Sequence, residues 1–254
     1  MNNFFNDIVY INRDARTDRR DISESHFAEL GLTVRRVSAI DAIAKRIDPL
    51  IKETNANGLR DTYDALSKTL IGIFEQAIAD DLDNILILED DCEFTPGAVG
   101  VFNKCVKVRT RTIEVDDLEK PIFEFDIMAG TQTDKVVGYE KKEVEQEYRY
   151  LPPQWSVLYL GCYTGGYATP VIAGRVHRLY SASMGHAFGF ARHAFAPIIE
   201  RLSRLDCASD VCISDMFFSD KDTFLACAIL PSIAGQRADY SDCMGKDVPA
   251  KGCD

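Results

Sequence analysis

The chain has 254 residues, of which 46% are hydrophobic and 27% charged, a balance typical of a soluble globular protein with one sizeable core. Its formal net charge of −11 argues against nucleic-acid binding through a broad basic face, although a nucleotide can still bind if a cation or a local basic cluster neutralises its phosphates. Apolar runs are far shorter than the roughly 18–20 residues of a membrane span, and no secretory leader is recognisable, so we expect a cytoplasmic protein without a membrane span.

The first half of the chain alternates between predicted strands and helices. Residues 7–12 (DIVYIN) and 33–40 (TVRRVSAI) have the β-branched character of strands, and a helix is predicted between them. Residues 66–82 place apolar side chains at helical spacing, and residues 84–88 form a continuous apolar run of strand length. This alternation predicts an α/β fold with a mostly parallel central sheet that is flanked by helices.

In the second half a charged segment interrupts the alternation of strands and helices, which then resumes. A charge-dense segment over 110–153 has weak periodicity, and we interpret it as an insertion or an acceptor-side segment within a single domain spanning residues 1–254. Further elements are predicted at 155–161 (strand), 185–202 (strand turning into helix), 211–218 (helix) and 223–230 (strand).

Three acids, Glu89, Asp90 and Asp91, directly follow the apolar strand in the sequence ILILEDD. In open parallel sheets, ligands bind beyond the carboxyl ends of the strands, and carboxylates are not left unpaired in a dry core. One interpretation is a solvated acidic turn. The other is a site for Mn²⁺ or Mg²⁺, which take carboxylate oxygens and complete their shells with water and substrate phosphates.

Six motifs in order resemble glycosyltransferase family 25, the group that includes lipooligosaccharide and collagen galactosyltransferases. They are VYINRDARTDRR, RRVSAIDA, ILEDDCEF, WSVLYLG, GHAFGFARHAFAPIIERL and PSIAGQRADYSD, and they span nearly the whole chain except 110–153. One motif departs from the family pattern. Members often carry GC-x-x-SH at the start of the long helix, where this chain reads GLRDTYDALSKT.

The resemblance implies a GT-A-type (Rossmann-like) fold, a UDP-sugar donor, a divalent cation and a role in lipopolysaccharide or other glycan biosynthesis. The acid triplet then takes the place of the family's DxD-like motif. Under this mapping Asp91 is a direct metal ligand, and Glu89 joins the metal or faces the ribose or sugar of the donor. Asp90 faces the donor or supports the metal through water.

The end of the first strand is expected to hold the nucleotide. Arginine forks suit phosphate, and the polar connection RDARTDRR supplies several, although arginines in such a turn are often simply solvated. The predicted contacts to base, ribose and phosphate come from Tyr10, Ile11, Asn12, Arg16, Arg19, Arg20 and Asp41.

Asp215 is the predicted general base. An inverting transfer needs one carboxylate that takes the proton of the acceptor hydroxyl, and Asp215 stands alone in the apolar stretch VCISDMFF, where partial burial would raise its pKa. The alternatives are a helix-capping role for Asp215 and a catalytic role for Asp210 or Asp222.

Two further groups of polar residues are candidates for the donor site. His186 could contact donor or acceptor, whereas a structural role suits both His186 and His193. In the family the C-terminal stretch QRADYSD closes over the donor side, which implies Gln236 among the donor contacts, Arg237 at the diphosphate and Asp242 in the metal shell, with Ser241 nearby. The alternative is a polar surface loop.

The predicted function is a metal-dependent inverting transfer of galactose or glucose from a UDP-sugar to a hydroxyl of an oligosaccharide or a protein. A nucleotidyltransferase is a weaker alternative, because RDARTDRR has neither the glycine nor the lysine of a phosphate loop. A non-catalytic glycan-binding protein of the same fold is the other alternative. The eight cysteines form no CxxC pair, and we expect most of them to be reduced, with a disulfide among the later ones as the other possibility.

Overall fold

The computed structural model describes residues 1–41, 55–126, 131–164, 169–220, 223–241, 246–248 and 250. The chain divides into two compact units. One comprises Met1–Val106 and Tyr150–Asp254, and the other is Lys107–Arg149. The single domain with an inserted segment stays a prediction.

The elements of the larger unit alternate along the chain. The helices are α1 (Thr17–Glu29), α2 (Asn55–Ala79), α3 (Ala98–Val106), α4 (Arg192–Leu202) and α5 (Ser209–Ser219). The strands are β1 (Asp7–Asn12), β2 (Arg35–Ser38), β3 (Asn84–Glu89), β4 (Cys92–Phe94), β7 (Trp155–Tyr163), β8 (Val171–Ala173), β9 (Val176–Arg178), β10 (Ser183–Ala191), β11 (Leu225–Ile229), β12 (Ala234–Gln236), β13 (Asp239–Ser241) and β14 (Lys246–Val248). The smaller unit contains β5 (Arg109–Asp126) and β6 (Thr131–Tyr148).

The central sheet has eight strands in the order β2-β1-β3-β10-β7-β11-β9-β8. β1 pairs in parallel with both β2 and β3, and β7 pairs in parallel with β11. β10 runs antiparallel to β3 and β7, and β9 runs antiparallel to β11 and β8. All strands but β9 and β10 therefore point the same way. This confirms the predicted α/β class with a mostly parallel sheet.

Hydrophobic cores cover both faces of this sheet, which is why β3 is apolar at successive positions. Ile85 and Ile87 pack in a cluster with residues of α2 and α4, including Phe74 and Phe195. Leu86 and Leu88 point the other way, into a cluster with residues of α1 and α3. A strand buried on both faces reads as a continuous apolar run rather than an alternating one.

The smaller unit is a hairpin of β5 and β6, whose register runs from Arg109 opposite Tyr148 to Asp126 opposite Thr131. Ile113 lies opposite Val144 on one face, and Glu114 lies opposite Glu143 on the other. Alternating side chains along each strand explain why this charged segment shows no helical period. Exposed ion pairs such as Lys120–Glu140 cross between the strands.

Two features differ from the sequence expectations. Helix α1 begins at Thr17, inside the stretch predicted as a polar connection, and it buries Arg19. No element was predicted after residue 230, where the structure holds the short strands β12 and β13.

The sequence left open whether all cysteines are reduced or some of the later ones form a disulfide, and the structure contains one disulfide among the later ones. Cys92, Cys105, Cys162 and Cys227 are buried and lie outside any disulfide, and Cys207 is disulfide-bonded to Cys212. No helix in the described part of the chain is long and apolar enough to cross a membrane.

Candidate functional site

A cavity of about 300 Å³ lies at the carboxyl ends of β1 and β3. Seven other elements or connections complete its wall: α1, the segment after β2, α2, β7, β10, α5 and β12. The lining residues include Ile11, Asn12, Arg13, Arg19, Ile40, Thr62, Tyr63, Leu66, Glu89, Asp90, Asp91, Tyr159, Gly185, Phe188, Ala208, Ser209, Asp210, Ile213 and Gln236. The wall thus combines apolar and aromatic surface with a concentrated group of acids.

Strand direction explains how these groups meet. In the parallel pair of β1 and β3, Ile11 lies opposite Glu89, so Asn12 and the acid triplet leave the sheet at the same edge. β10 runs the other way, with Ala187 opposite Leu88, so its beginning lies beside the end of β3. This antiparallel strand therefore brings Gly185 and His186 to the same edge as the acids.

Asp90 has both carboxylate oxygens occupied by neighbouring donors. Arg19 donates to Oδ1 over 2.7 Å, and the amide of Asn12 donates to Oδ2 over 2.8 Å. Arg19 and Asp90 are 6% and 8% exposed. Burial raises the pKa of Asp90, and Arg19 and Asn12 oppose that shift. Asp90 and Arg19 thus form a buried, hydrogen-bonded ion pair that links α1 to the end of β3.

Asp91 is only half satisfied. Its Oδ2 accepts a hydrogen bond of 2.9 Å from the side-chain amide of Gln236 and lies 3.5 Å from Arg19. Its Oδ1 is buried and has no hydrogen-bond partner among the described residues. A buried carboxylate oxygen without a donor costs free energy, so such an atom marks a place where a ligand is expected.

Glu89 and His186 complete an acidic group around Asp91. His186 is 2% exposed, and its Nδ1 lies 3.5 Å from Oε2 of Glu89. The ligand-capable atoms of Glu89, Asp91 and His186 all lie within 4.8 Å of one another. Burial raises the pKa of Glu89, the contact with His186 lowers it, and the nearby Asp91 raises it further. The three side chains can hold one cation between them.

The C-terminal segment holds the acid turn from the other side. β12 pairs with β4 so that Gln236 lies opposite Cys92. The backbone N–H of Arg237 donates to the Asp91 carbonyl over 2.9 Å, and its guanidinium donates to the Asp90 carbonyl over 2.6 Å. Ser23 donates to the same carbonyl over 2.6 Å. These bonds fix the backbone of the acid turn.

The arginines near the end of β1 are engaged with acids. Arg13 lines the cavity, and its Nη2 donates to both carboxylate oxygens of Asp41, at 3.0 and 3.1 Å. Arg16 bonds to Asp18 at 2.8 Å and lies 3.3 Å from Asp239. Arg19 reaches the same Asp239 at 2.8 Å. Burial would lower the pKa of Arg19, but Asp90 and Asp91 outweigh it and hold that pKa above its usual value.

The structure brings most of the predicted donor and metal residues to one place. Ile11, Asn12, Arg19, Glu89, Asp90, Asp91 and Gln236 line the cavity, and His186 lies beside Glu89. Arg16, Asp41 and Arg237 are not lining residues; they form bonds at its margin. Asp222 and Asp242 lie outside the described residues.

Tyr10 is not brought to the cavity. Its ring is buried with Phe27 on the opposite face of the sheet from Ile11, because successive side chains of a strand alternate between faces. Its hydroxyl donates to Glu24 over 2.5 Å. Nor do Arg20 and His193 line the cavity: Arg20 lies 3.9 Å from Asp21, and His193 hydrogen-bonds Ser156 at 2.9 Å.

Asp215 also lies away from the cavity. Its side chain is 57% exposed and lies 3.5 Å from Arg201, so the partial burial that the prediction assumed is absent. Asp210 and Ile213 lie on the side of helix α5 that faces the cavity. At about 100° per residue, Asp215 projects roughly 200° away from Ile213. The rival acid Asp210 lines the cavity, and its Oδ1 accepts the Val211 N–H over 2.8 Å.

Sequence reasoning missed several lining residues. Arg13 directly follows the predicted strand end, and that position was its available signal. Thr62 and Tyr63 fall within the stretch GLRDTYDALSKT, where the chain departs from the resembling family. Tyr159, Phe188 and Ser209 read as ordinary core or helix-start residues, and only the fold places them at the cavity.

A family model for glycosyltransferase family 25, described as LPS biosynthesis protein, matches residues 5–168, which is more than half of the chain. The chain belongs to glycosyltransferase family 25. The match confirms the resemblance inferred from the ordered motifs, and the predicted enzyme class, a glycosyltransferase, is the class of this family. No curated protein matches this family 25 chain by sequence.

Two solved structures show distant likeness. A glycosyltransferase involved in the glycosylation of the major capsid of PBCV-1 is 10% identical, with a TM-score of 0.32, and the match covers 85% of this chain. This family 25 chain spans 65% of the length of that protein. A197 from STIV is 11% identical, with a TM-score of 0.32, over 96% of this chain and 93% of its own. Likeness at this level carries no argument about the site.

Proposed function

We propose that this family 25 chain is a metal-dependent, inverting hexosyltransferase. It moves galactose or glucose from a UDP-sugar to a hydroxyl of an oligosaccharide or protein acceptor. The observation that carries the proposal is the buried Oδ1 of Asp91, which has no donor among the described residues. Asp91 lines the cavity and lies beside Glu89 and His186.

The residues present fit a divalent cation. Carboxylate oxygens suit Mn²⁺ and Mg²⁺, and both ions complete their shells with water and substrate phosphates rather than with an all-protein cage. Asp91 and Glu89 would hold the ion, with His186 as a third ligand within the same 4.8 Å group. When bound, the ion would neutralise the negative charge that develops on the departing diphosphate.

Asp90 and Arg19 have a supporting role in this proposal. Both carboxylate oxygens of Asp90 accept hydrogen bonds from Arg19 and Asn12, so in this proposal Asp90 anchors the turn instead of binding the ion. Gln236 holds one oxygen of Asp91 and leaves the other directed away from that bond. Orienting a ligand through a neighbouring donor is the usual way a protein fixes the geometry of a metal site.

Asp210 is the proposed general base. It lines the cavity at the first turn of α5. In the proposed reaction it takes the proton of the acceptor hydroxyl while that oxygen attacks the anomeric carbon. The bond from that carbon to the phosphate oxygen breaks, and its electron pair leaves with UDP. No protein nucleophile is needed.

The apolar side of the cavity suits the donor. Ile11, Ile40 and Leu66 offer packing surface for a planar base, and Arg13, which is ion-paired with Asp41, adds a guanidinium to the lining. Tyr159 and Phe188 provide aromatic surface of the kind that packs against sugar faces. The choice of a UDP-hexose rests on the family resemblance.

The first test is turnover and donor binding with a panel of UDP-, GDP- and CMP-sugars, in Mn²⁺ and in chelator. We expect one UDP-hexose to bind and turn over only with the metal. Absence of binding to every donor in both conditions would contradict the proposal and favour a non-catalytic glycan-binding protein.

The second test separates the two candidate bases. Asp210→Asn should lower kcat by about 10²–10⁴-fold and leave donor affinity nearly unchanged, because a general base acts on the acceptor proton. Asp215→Asn should lower kcat far less. The reverse order of effects would return the base to Asp215.

A further inference from the structure

The connection between α4 and α5 leads directly into the cavity wall. Ala208, Ser209 and Asp210 line the cavity, and the residues just before them form the short loop after α4. The first turn of α5 closes with the Cys212 N–H donating to the Ala208 carbonyl over 2.9 Å. We call residues 208–210 the acid wall, because they carry the proposed base.

One guanidinium ties both ends of this connection together. Arg201, near the end of α4, contacts Asp206 at 2.6 Å in the loop and Asp215 at 3.5 Å on α5. It also donates to Sγ of Cys207 over 3.2 Å. Arg201 is 17% exposed, so its fork is held against these partners rather than extended into solvent.

Two further bonds hold the same segment. The disulfide between Cys207 and Cys212 joins the loop to α5 on either side of the acid wall. On the next turn, Ser214 accepts the backbone N–H of Ala182 over 3.1 Å, which fixes α5 to the approach of β10. These contacts hold the acid wall from the loop on one side and from α5 on the other.

We propose that Arg201, Asp206, Asp215 and the Cys207–Cys212 disulfide form a clip that positions the acid wall. Asp215 is then a positioning residue for Asp210, and the oxidation state of the cysteine pair sets how firmly Asp210 is held. Single ion pairs at this exposure contribute little to stability. A fork that joins three groups, together with a covalent link, instead restricts one segment to one geometry.

The consequence is a selective effect on turnover. A base displaced by about 1 Å can cost about 10²-fold in rate, whereas donor binding depends on other walls of the cavity. Loss of the clip should therefore lower kcat and leave donor affinity unchanged. This part of the inference rests on the proposed function.

The test compares Arg201→Met with Arg204→Met. Arg204 lies on the same stretch and pairs with the exposed Glu200 at 3.6 Å, and among the described residues the ion pairs of Asp206 and Asp215 are with Arg201. Hydrogen exchange at residues 208–212 is measured by mass spectrometry, and kcat is measured with Mn²⁺ and the UDP-hexose that turns over. Arg201→Met should speed exchange in that segment and lower kcat by about tenfold to a hundredfold. Arg201→Lys should bring the exchange rate and kcat part of the way back to the native values, and Arg204→Met should match the native chain in both measurements.

The disulfide is tested by reduction with a dithiol such as dithiothreitol. The reagent gives up two electrons and closes to its own disulfide, while the Cys207–Cys212 bond becomes two thiols. Reduction should speed exchange at 208–212 in the native chain. It should have no effect on the double variant Cys207→Ser/Cys212→Ser, which should already exchange fast.

The two claims fail in different ways. Equal exchange at 208–212 in native, Arg201→Met and reduced protein would overturn the clip, whatever the activity. Faster exchange in a chain that binds no donor would support the clip and contradict the proposed function. Faster exchange with unchanged kcat in an active chain would overturn the positioning role.

Discussion

Two regions of the molecule treat their charges in opposite ways. At the end of β3, the ion pair of Arg19 and Asp90 is buried, and each partner makes further hydrogen bonds. In the hairpin of β5 and β6, the pair of Lys120 and Glu140 is about 60% exposed on both sides, at 62% and 60%. Oppositely charged side chains therefore form a buried structural pair in one region and a solvated surface pair in the other.

The comparison teaches where charge is structural and where it is solvated. Removing one partner of a buried pair leaves an uncompensated charge, which costs far more than losing an exposed pair. Asp91 is as buried as the first pair, at 5% exposed, but only one of its carboxylate oxygens has a hydrogen-bond partner among the described residues. A site that keeps a buried oxygen unpaired gives up some stability for binding.

The largest expected effect is at the buried pair. Arg19→Met should lower the free energy of unfolding by about 3–5 kcal/mol, because Asp90 would stay buried without its cation. Chemical denaturation in chelator measures this without any stabilisation by bound metal. Arg20→Met on the same helix is the control, with a side chain 36% exposed and its acid 3.9 Å away. Equal losses in both variants would contradict a structural role for the pair.

A smaller effect is expected where β12 approaches the sheet. A Cβ at Gly161 would lie 2.4 Å from the carbonyl oxygen of Ala234, a backbone atom that can move only with the strand. Gly161→Ala should cost about 1–3 kcal/mol by overpacking and shift Gln236 away from Asp91. Gly72→Ala is the control, because nothing lies within 4 Å and alanine favours a helix. An unchanged free energy of unfolding in Gly161→Ala would contradict this and show that β12 can move away from the added methyl group without cost.

The next effect depends on pH and concerns His26, whose Nε2 accepts the backbone N–H of Phe94 over 2.9 Å. Burial lowers the pKa of His26 below its usual 6.5; Glu93 and Glu29 oppose the shift, and Arg237 adds to it. A lowered pKa means that the unfolded chain takes up the proton first. Stability from His26 is thus complete above about pH 6.5 and is lost as the pH falls below that value.

The measurement for His26 is the free energy of unfolding from pH 5 to 8, for the native chain and for His26→Gln, which keeps an acceptor but cannot titrate. The native chain should lose stability relative to the variant as the pH falls through about 6.5. A relative gain on acidification would mean that the folded state binds the proton more tightly.

The smallest effect belongs to the hairpin. Lys120→Met should change the free energy of unfolding by less than about 0.5 kcal/mol, because both partners are well exposed and screened by salt. The same denaturation experiment as for Arg19 measures it. A loss comparable to that of Arg19→Met would erase the contrast between the two regions.

The sequence predicted the sheet well where one local pattern determined the structure. The strand β1 was expected over the residues it occupies, and the apolar run before the acids was correctly read as a doubly covered strand. The start of α1 was missed because Arg19 reads as solvated unless its partner Asp90, far along the chain, is known. Local periodicity carries no information about such a pairing.

In the site, too, local sequence patterns identified some features, and distant partners determine the rest. Glu89, Asp90 and Asp91 were recognisable because acids at the end of an apolar strand are unusual. Their separate roles depend on Arg19, Asn12 and Gln236, which come from three other elements. The choice between Asp210 and Asp215 depends on the phase of α5 relative to the cavity, and packing rather than composition determines that phase.

The central claim is that the unpaired oxygen of Asp91 marks a cation site, and Mn²⁺ binding tests it most directly. Calorimetric titration with Mn²⁺ in the presence of UDP would compare the native chain with Asp91→Asn, using Glu93→Gln as the control at an exposed acid two residues on. We predict one Mn²⁺ per native chain, binding lost in Asp91→Asn and retained in Glu93→Gln. Equal Mn²⁺ affinity in all three proteins would contradict the account.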